Sequence, residues 1–309
     1  MQQSKQLDAK GDQALKPVQQ SRKDLPVIVY APESRLRSPG KLFKEMWYDL
    51  LASRDLAWQL LIRDISAQYR QSVLGILWAF IPPLVTALGL SLLQNNRIVN
   101  LGKTDIPYPL YVLFSMTLWQ MFTDSMNNSM GAVKAAKSML SQIRVPAEAF
   151  VIAKLGQTFF NFSVQLILVV ILFIVYQIQG QLQVSWSVIL APVALIHLVM
   201  FGTAIGLILG PLSSLYSDVN KAMSFIIRIW FFITPVIFAL PRGGHWATLV
   251  KLNPVTPLLV TTRELATTGN ISYPIGFWVA SAIAIISFCL GWTFYRLAMP
   301  FIVERAAMS

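Results

Sequence analysis

The longest stretch without a charged residue runs from Leu155 to Ser217, which is 63 residues in a chain of 309. A helix that crosses a bilayer needs about 20 mainly apolar residues, so this stretch has room for two such helices. Its polar break at Gln177–Gln181 predicts the turn between them. Only 13% of the residues are charged, against about a quarter in soluble domains. The sequence therefore predicts a membrane protein.

Four shorter stretches also lack charged residues. They are Gln71–Asn96, Ile106–Thr123, Ile229–Pro241 and Leu265–Tyr295. One span fits in each of Gln71–Asn96, Ile106–Thr123 and Leu265–Tyr295. The stretch Ile229–Pro241 is too short alone and reaches spanning length when it is extended back to Ala222. The predicted fold is an all-α membrane protein with six spans, at residues 73–94, 108–129, 152–176, 188–211, 222–240 and 274–296.

Lysine and arginine are distributed unequally between the two sides of this map. Of the 25 basic residues, 20 fall on the side of the N-terminus. Because cytoplasmic loops carry an excess of Lys and Arg, both termini are predicted to be cytoplasmic. The net charge of +11 then reflects orientation, and nucleic acid is not an expected partner.

The chain before the first span divides into two parts. Residues 1–40 are polar and lack the apolar core of a signal peptide, so we expect a flexible cytoplasmic tail. Residues 41–72 carry apolar side chains at helical spacing between charges, which predicts an amphipathic helix region in the membrane interface. The six-span domain follows at 73–298, and residues 299–309 form a cytoplasmic C-terminal tail in this prediction.

No catalytic or metal site is expected. Gly102-Lys103-Thr104 resembles the end of a phosphate loop, but Arg97 stands where that motif requires a glycine. The two histidines, His197 and His245, lie far apart, and the single Cys289 excludes a multi-cysteine site within one chain.

Residues 60–84 read LLIRDISAQYRQSVLGILWAFIPPL. This segment resembles the membrane subunits of ABC-2 type exporters for O-antigen, capsule and teichoic acid. The resemblance rests on Arg63-Asp64, Tyr69-Arg70-Gln71-Ser72, Leu74-Gly75, Leu77-Trp78 and Pro82, and further along on Thr234-Pro235, Asn253-Pro254 and Arg263. The long amphipathic lead-in is more similar to the O-antigen branch.

The resemblance implies a homodimer in the bacterial inner membrane with two copies of a separate ATPase subunit. ATP and Mg would be bound by that partner, and this chain would hold no cofactor. The implied substrate is a lipid-linked polysaccharide of the undecaprenyl-diphosphate type, most similar to O-antigen. Capsular polysaccharide, teichoic acid, a drug or a lipid are the alternatives. A membrane-embedded glycan-modifying enzyme is a further alternative from another class.

The resemblance also implies roles for the polar residues at the cytoplasmic side. Arg63, Asp64, Tyr69 and Arg70 would line the substrate entrance, or else anchor the helix to lipid head groups, or pair with one another. A short charged helix within 131–149 would contact the ATPase; the alternative is an ordinary cytoplasmic loop. The coupling residues would be Lys134, Lys137 and Arg144, with Asp218 and Lys221 in a second contact.

Three further groups of residues are candidates. Aromatic side chains would line the channel: Trp78, Tyr108, Tyr111, Trp119, Trp230 and Phe231. Charges inside spans are costly, and Asp124 and Arg228 would pair or line the inner vestibule. By the resemblance, short re-entrant helices within Pro241–Tyr273 would form an outer gate that includes Asn253, Pro254 and Arg263; a plain surface loop is the alternative.

Overall fold

The computed structural model describes residues 39–70, 74–96, 98–99, 101–140, 145–183, 185–241 and 243–307. These residues form α-helices and two short 3₁₀ helices, with no strand among them. The α-helices are α1 (Pro39–Ala52), α2 (Arg54–Arg70), α3 (Ile81–Asn95), α4 (Tyr108–Leu140), α5 (Glu148–Ile178), α6 (Ala191–Leu215), α7 (Ser217–Ile233), α8 (Gly244–Leu252), α9 (Val255–Ala266) and α10 (Pro274–Ala307). The 3₁₀ helices Gly75–Ala79 and Trp186–Leu190 lead into α3 and α6.

Four helical units in the described ranges are long and apolar enough to cross a membrane. They are Gly75–Asn95, Glu148–Ile178, Trp186–Leu215 and Pro274–Arg305. They coincide with the first, third, fourth and sixth predicted spans. The other two predictions fall on α4, whose 33 residues extend about 50 Å, and on α7, which has 17 residues. The count of six spans stays a prediction.

The centre of the protein is α4, which is buried along much of its length. One apolar cluster surrounds its first half and includes Leu118, Leu198 and Leu258. A second surrounds its last turns and includes Ala132, Phe150 and Tyr295. Because other helices cover α4 on most sides, it carries more polar residues than the helices that face outward.

Glycines on α6 allow it to lie directly against α4. Gly202, Gly206 and Gly210 follow at intervals of four and therefore share one face of the helix. A Cβ added at Gly206 would lie 2.3 Å from the carbonyl oxygen of Met126. Small residues at this spacing are typical of close helix packing in membranes.

The predicted interfacial region consists of two helices that meet at Ser53. Arg296 of α10 holds the first of them: its guanidinium lies 2.5 Å from the Asp49 carboxylate and 2.7 Å from that of Glu148 at the start of α5. Arg296 and Glu148 are buried, so this ion cluster joins α1, α5 and α10 inside the protein.

Four helices of the structure begin or end at residues other than the boundaries drawn on the sequence, while the predicted domain division stays a prediction. The helix of the fifth predicted span runs over Ser217–Ile233 rather than 222–240, because the chain leaves the helix at Thr234-Pro235. α4 continues through Leu140, so no separate helix begins between 131 and 140. α1 begins at Pro39, and α10 continues through Ala307 past the predicted tail boundary at 298. The rest of the N-terminal tail and Arg144 lie outside the described residues.

Candidate functional site

A polar seam runs between α4 and α5 where the sequence around it is apolar. We define the seam by residues at intervals of four on each helix: Gln120, Asp124 and Asn128 on α4, and Gln157, Asn161 and Gln165 on α5. Gln120 donates to the Asp124 carboxylate over 2.7 Å, and the side chain of Asn161 lies beside it. Asn128 donates to Thr158 over 2.9 Å. The two stripes therefore meet at Asp124 and Asn161, while Gln157 donates to Gln68 of α2.

An open cavity of about 410 Å³ adjoins the seam at the junction of α2 and the first span. Its lining comprises Gln68, Tyr69, Gly75, Trp78, Ala79, Gln120, Asp124, Asn161 and Gln165. The Oδ1 atom of Asn161 is buried and has no hydrogen-bond partner among the described residues. Pockets that bind small ligands usually enclose about 300–1,000 Å³, with a few polar groups that converge.

This cavity brings together residues that the sequence analysis had placed in three separate groups. Tyr69 is a predicted entrance residue, Trp78 is a predicted channel aromatic, and Asp124 is a charge inside a predicted span. No ion pair joins Asp124 to Arg228 among the described residues, and the predicted role of Arg228 stays a prediction. Arg228 is exposed and forms no ion pair with a described residue, whereas Asp124 is held by amides. Asp124 therefore belongs to the cavity wall.

Asp64 holds α2 against α5. Its carboxylate lies 2.9 Å from the Lys154 ammonium and 2.8 Å from the Arg63 guanidinium. Burial alone would raise the pKa of Asp64, but the hydrogen bonds and charges of Lys154 and Arg63 outweigh it and lower the pKa. The ion pairs are thus present at neutral pH and are lost as the pH falls through that lowered pKa. Arg70 is exposed at the end of α2.

The predicted gate residues bind the non-helical segment that follows α7. Arg263 is 5% exposed and donates to Ser115 over 2.7 Å and to the Pro235 carbonyl over 3.2 Å. Its guanidinium carbon lies 3.9 Å from the centre of the Tyr111 ring. Asn253 accepts from Trp230 and donates to Thr234, over 2.9 Å in both cases. We call Tyr111, Asn253 and Arg263 the clamp.

The clamp explains two features of the sequence. Asn253 and Pro254 separate the short helices α8 and α9, so helices exist where the resemblance implied them. Whether they re-enter the membrane stays a prediction. A direct hydrogen bond from Asn253 to Thr234 joins the two helix breaks. Thr234-Pro235 and Asn253-Pro254, which both carry the resemblance, therefore meet in space.

The aromatic candidates have different environments. Three of the candidates are buried: Tyr108, Tyr111 and Trp119. Both tyrosine hydroxyls donate to carbonyls of the segment after α7. Trp230 and Phe231 are partly buried around Trp119 and Phe122. Trp78 is 57% exposed. A channel-lining role stays a prediction for all six.

Replacing Arg263 by lysine is expected to destabilise the protein by about 2 kcal/mol, because lysine keeps the charge but loses the planar stacking on Tyr111. The midpoint of thermal unfolding in detergent measures the effect. The matched control is Lys103→Met, since Lys103 is an exposed cation that lines, together with Arg263 and Tyr111, a second open cavity of about 410 Å³. Equal midpoints for Arg263→Lys and wild type would contradict the clamp.

The coupling candidates lie together at one end of the molecule. Lys134 and Lys137 occupy the last turns of α4, and Asp218 and Lys221 occupy the first turns of α7. Met130 of α4 and Met223 of α7 pack in one cluster, which brings the two segments close. The Asp218 and Lys221 side chains are 89% and 78% exposed, and their role stays a prediction.

Sequence reasoning missed the amides of the cavity and the carboxylates around Arg296. The signal for the first was present: Gln157, Asn161 and Gln165 repeat every four residues within a stretch that has no charge. No comparable signal existed for Arg296, whose partners Asp49 and Glu148 are distant in the chain.

A family model described as ABC-2 type transporter matches residues 55–266, and the chain therefore belongs to this family of membrane permeases. The predicted resemblance is confirmed. Among curated relatives, an O-antigen export system permease protein RfbA of Myxococcus xanthus is 27% identical, covering 70% of this chain and 82% of the relative. Its Klebsiella pneumoniae counterpart is 24% identical over 74% and 86%. The polysialic acid transport protein KpsM of Escherichia coli is 23% identical over 77% and 91%.

Proposed function

We propose that this chain is the membrane-spanning subunit of an ATP-driven exporter that moves a lipid-linked surface polysaccharide, most similar to O-antigen, across the inner membrane. The observation that carries the proposal is the polar cavity at the junction of α2 and the first span. Amides, a carboxylate and an exposed tryptophan at membrane depth are suited to a hydroxyl-rich substrate. They are not suited to an apolar drug or a lipid tail.

The exposed apolar faces support a homodimer. Val85, Leu88 and Leu92 of α3 are between 58% and 64% exposed, and Phe225 and Phe232 of α7 are exposed to a similar degree. These faces of α3 and α7 would form the wall of a pore between two copies, with lipid covering the remainder. Six spans with both termini in the cytoplasm are part of this proposal.

The energy source would be a separate ATPase subunit, two copies of which bind ATP and Mg beneath the dimer. The exposed residues of α7 and of the last turns of α4 would form a charged surface for this partner. Closure of the ATPase would be transmitted through this surface. Arg63 and Arg70 on α2 would meet the diphosphate of the lipid carrier, because the guanidinium fork donates paired hydrogen bonds to phosphate oxygens.

Deletion of the gene in its own host is expected to remove the surface glycan and to accumulate lipid-linked glycan on the inner membrane. Complementation with wild type restores export, while Lys134→Glu combined with Lys137→Glu restores little, because charge reversal disrupts the ATPase contact. Lys251→Glu, at the opposite end of the molecule, is the matched control. Glycan staining at the cell surface and extraction of lipid-linked glycan measure the result.

A normal surface glycan in the deletion strain would contradict the proposal and favour a drug or lipid substrate. Loss of surface glycan without accumulation of the lipid-linked form would favour a glycan-modifying enzyme. Full export by the double lysine variant would contradict the coupling assignment alone.

A further inference from the structure

The cavity beside the seam combines hydrogen-bonding groups that complement hydroxyl groups. Side-chain amides both donate and accept, and a hydroxyl does the same. Gln120, Asn161 and Gln165 supply three amides on two helices, with Asp124 between them. The arrangement offers several acceptors and donors within a space of about 410 Å³.

The unpartnered oxygen of Asn161 points to a ligand that donates a hydrogen bond. This atom is buried and accepts no bond from any described residue, while the amide lies beside Asp124. A buried acceptor without a partner is destabilising, because it has lost its hydrogen bonds to water and gained no donor. A ligand hydroxyl within the cavity would supply the missing donor.

The charge of the lining indicates which ligands are excluded. None of the lining residues that the structure describes is basic, and Asp124 contributes a carboxylate. The neighbouring cations Arg63 and Lys154 are bound to Asp64 outside the lining. Sites for phosphate or carboxylate groups use arginine or lysine. A diphosphate or an acidic sugar therefore lacks a partner in this cavity.

Trp78 provides a flat apolar surface at the edge of the same space. Its side chain is 57% exposed, although the residue lies in the first span. Tyr69 also lines the cavity and is held edge to face against Phe160, with ring centres 6.2 Å apart. A sugar ring has an apolar face of C–H groups that packs on such aromatic surfaces, with its hydroxyls directed to the rim.

We propose that this cavity binds an uncharged, hydroxyl-bearing sugar unit of the exported glycan and disfavours acidic sugars. The assignment rests on the proposed function. It separates the contact for the sugar from the contact for the diphosphate, which would lie with the exposed arginines of α2. The residues that determine specificity are Asp124, Asn161 and Gln165, with Trp78 as the stacking surface.

The test uses the full chain in complex with its ATPase, reconstituted in lipid nanodiscs. Maltotriose is the neutral probe and trigalacturonate the acidic one, and saturation-transfer NMR measures binding of each. We expect maltotriose to bind and trigalacturonate to bind at least about tenfold more weakly. Asn161→Ala and Gln165→Ala should each weaken maltotriose binding by about fivefold, as expected for a lost hydrogen bond.

Two further variants keep the test independent of folding. Trp78→Leu changes an exposed side chain and should also weaken maltotriose binding. Ser163→Ala is the matched control, because Ser163 is exposed on α5 and its hydroxyl bonds, within the described part of the chain, only to its own helix at Phe159. It should bind like the wild type.

Absence of maltotriose binding, equal binding of the acidic probe, or binding that is unchanged in the cavity variants would each overturn the assignment. These results are distinguishable from failure of the proposed function. Export of glycan in the complementation experiment, together with a cavity that binds no neutral sugar, would retain the exporter and reject the site. Maltotriose binding in the cavity, without export of glycan, would retain the site and reject the exporter.

Discussion

Replacing Gly206 by alanine is expected to force α6 away from α4 and to destabilise the protein by about 3 kcal/mol or more. The added Cβ would lie 2.3 Å from the Met126 carbonyl oxygen and 2.7 Å from the Ser129 Cβ. Backbone of a central helix cannot yield as a flexible side chain would. Gly202 has the same problem, since its Cβ would meet the Ser125 hydroxyl at 2.0 Å and the Phe122 carbonyl at 2.6 Å.

The chain contains a matched control for this prediction. Gly131, also within a helix, has no atom within 4 Å of an added Cβ. Gly131→Ala should therefore raise the stability slightly, by about 0.5–1 kcal/mol, because alanine favours the helix. The measurements are the yield of monodisperse protein and the thermal midpoint in detergent. Equal behaviour of Gly206→Ala and Gly131→Ala would show that the contact between α4 and α6 is not as close as described.

Replacing Arg296 by methionine is expected to release α1 from the protein and to cost about 3–5 kcal/mol. The variant leaves two carboxylates without their cation, and Glu148 is only 4% exposed. An uncompensated buried charge is much more costly than a lost surface pair. Faster cleavage of α1 by a protease, with a lowered thermal midpoint, is the expected result.

Three comparison variants identify the source of that loss. Asp49→Asn should have a smaller effect, since its side chain is 43% exposed and water replaces the lost contact. Arg296→Lys should be intermediate, because lysine lacks the fork that reaches both acids. Adding Glu148→Gln to Arg296→Met should recover part of the stability. A double variant no more stable than Arg296→Met would contradict the ion-cluster interpretation.

The sequence predicted the helices that face outward much better than those that lie inside. The helices α5, α6 and α10 are long and apolar because one side of each faces lipid. Their apolar stretches can therefore be recognised from consecutive residues of the sequence. The boundary of α7 was misplaced because Ile229–Pro241 remains apolar after the helix has ended. The non-helical segment after Ile233 is stabilised by Tyr108, Tyr111 and Arg263, whose contribution no local pattern records.

The candidate site could be predicted only in parts. Tyr69, Trp78 and Asp124 were identified one by one, each from its residue type and position. The cavity that contains them requires α2, the first span, α4 and α5 to converge, and it requires amides that the charge pattern ignores. No ion pair joins Asp124 to Arg228 among the described residues, because closeness on a map of spans does not give distance in the fold.

The sequence by itself determined that this is a helical membrane protein, where four of its apolar helical units lie, and which family it resembles. Those properties depend on composition and on short motifs, and they hold whatever the helices pack against. Only the tertiary structure decided that Asp124 lines a cavity, that Arg263 binds a helix break and that Arg296 joins three helices. Each of these depends on partners more than 25 residues away in the chain, which become neighbours only when the helices pack.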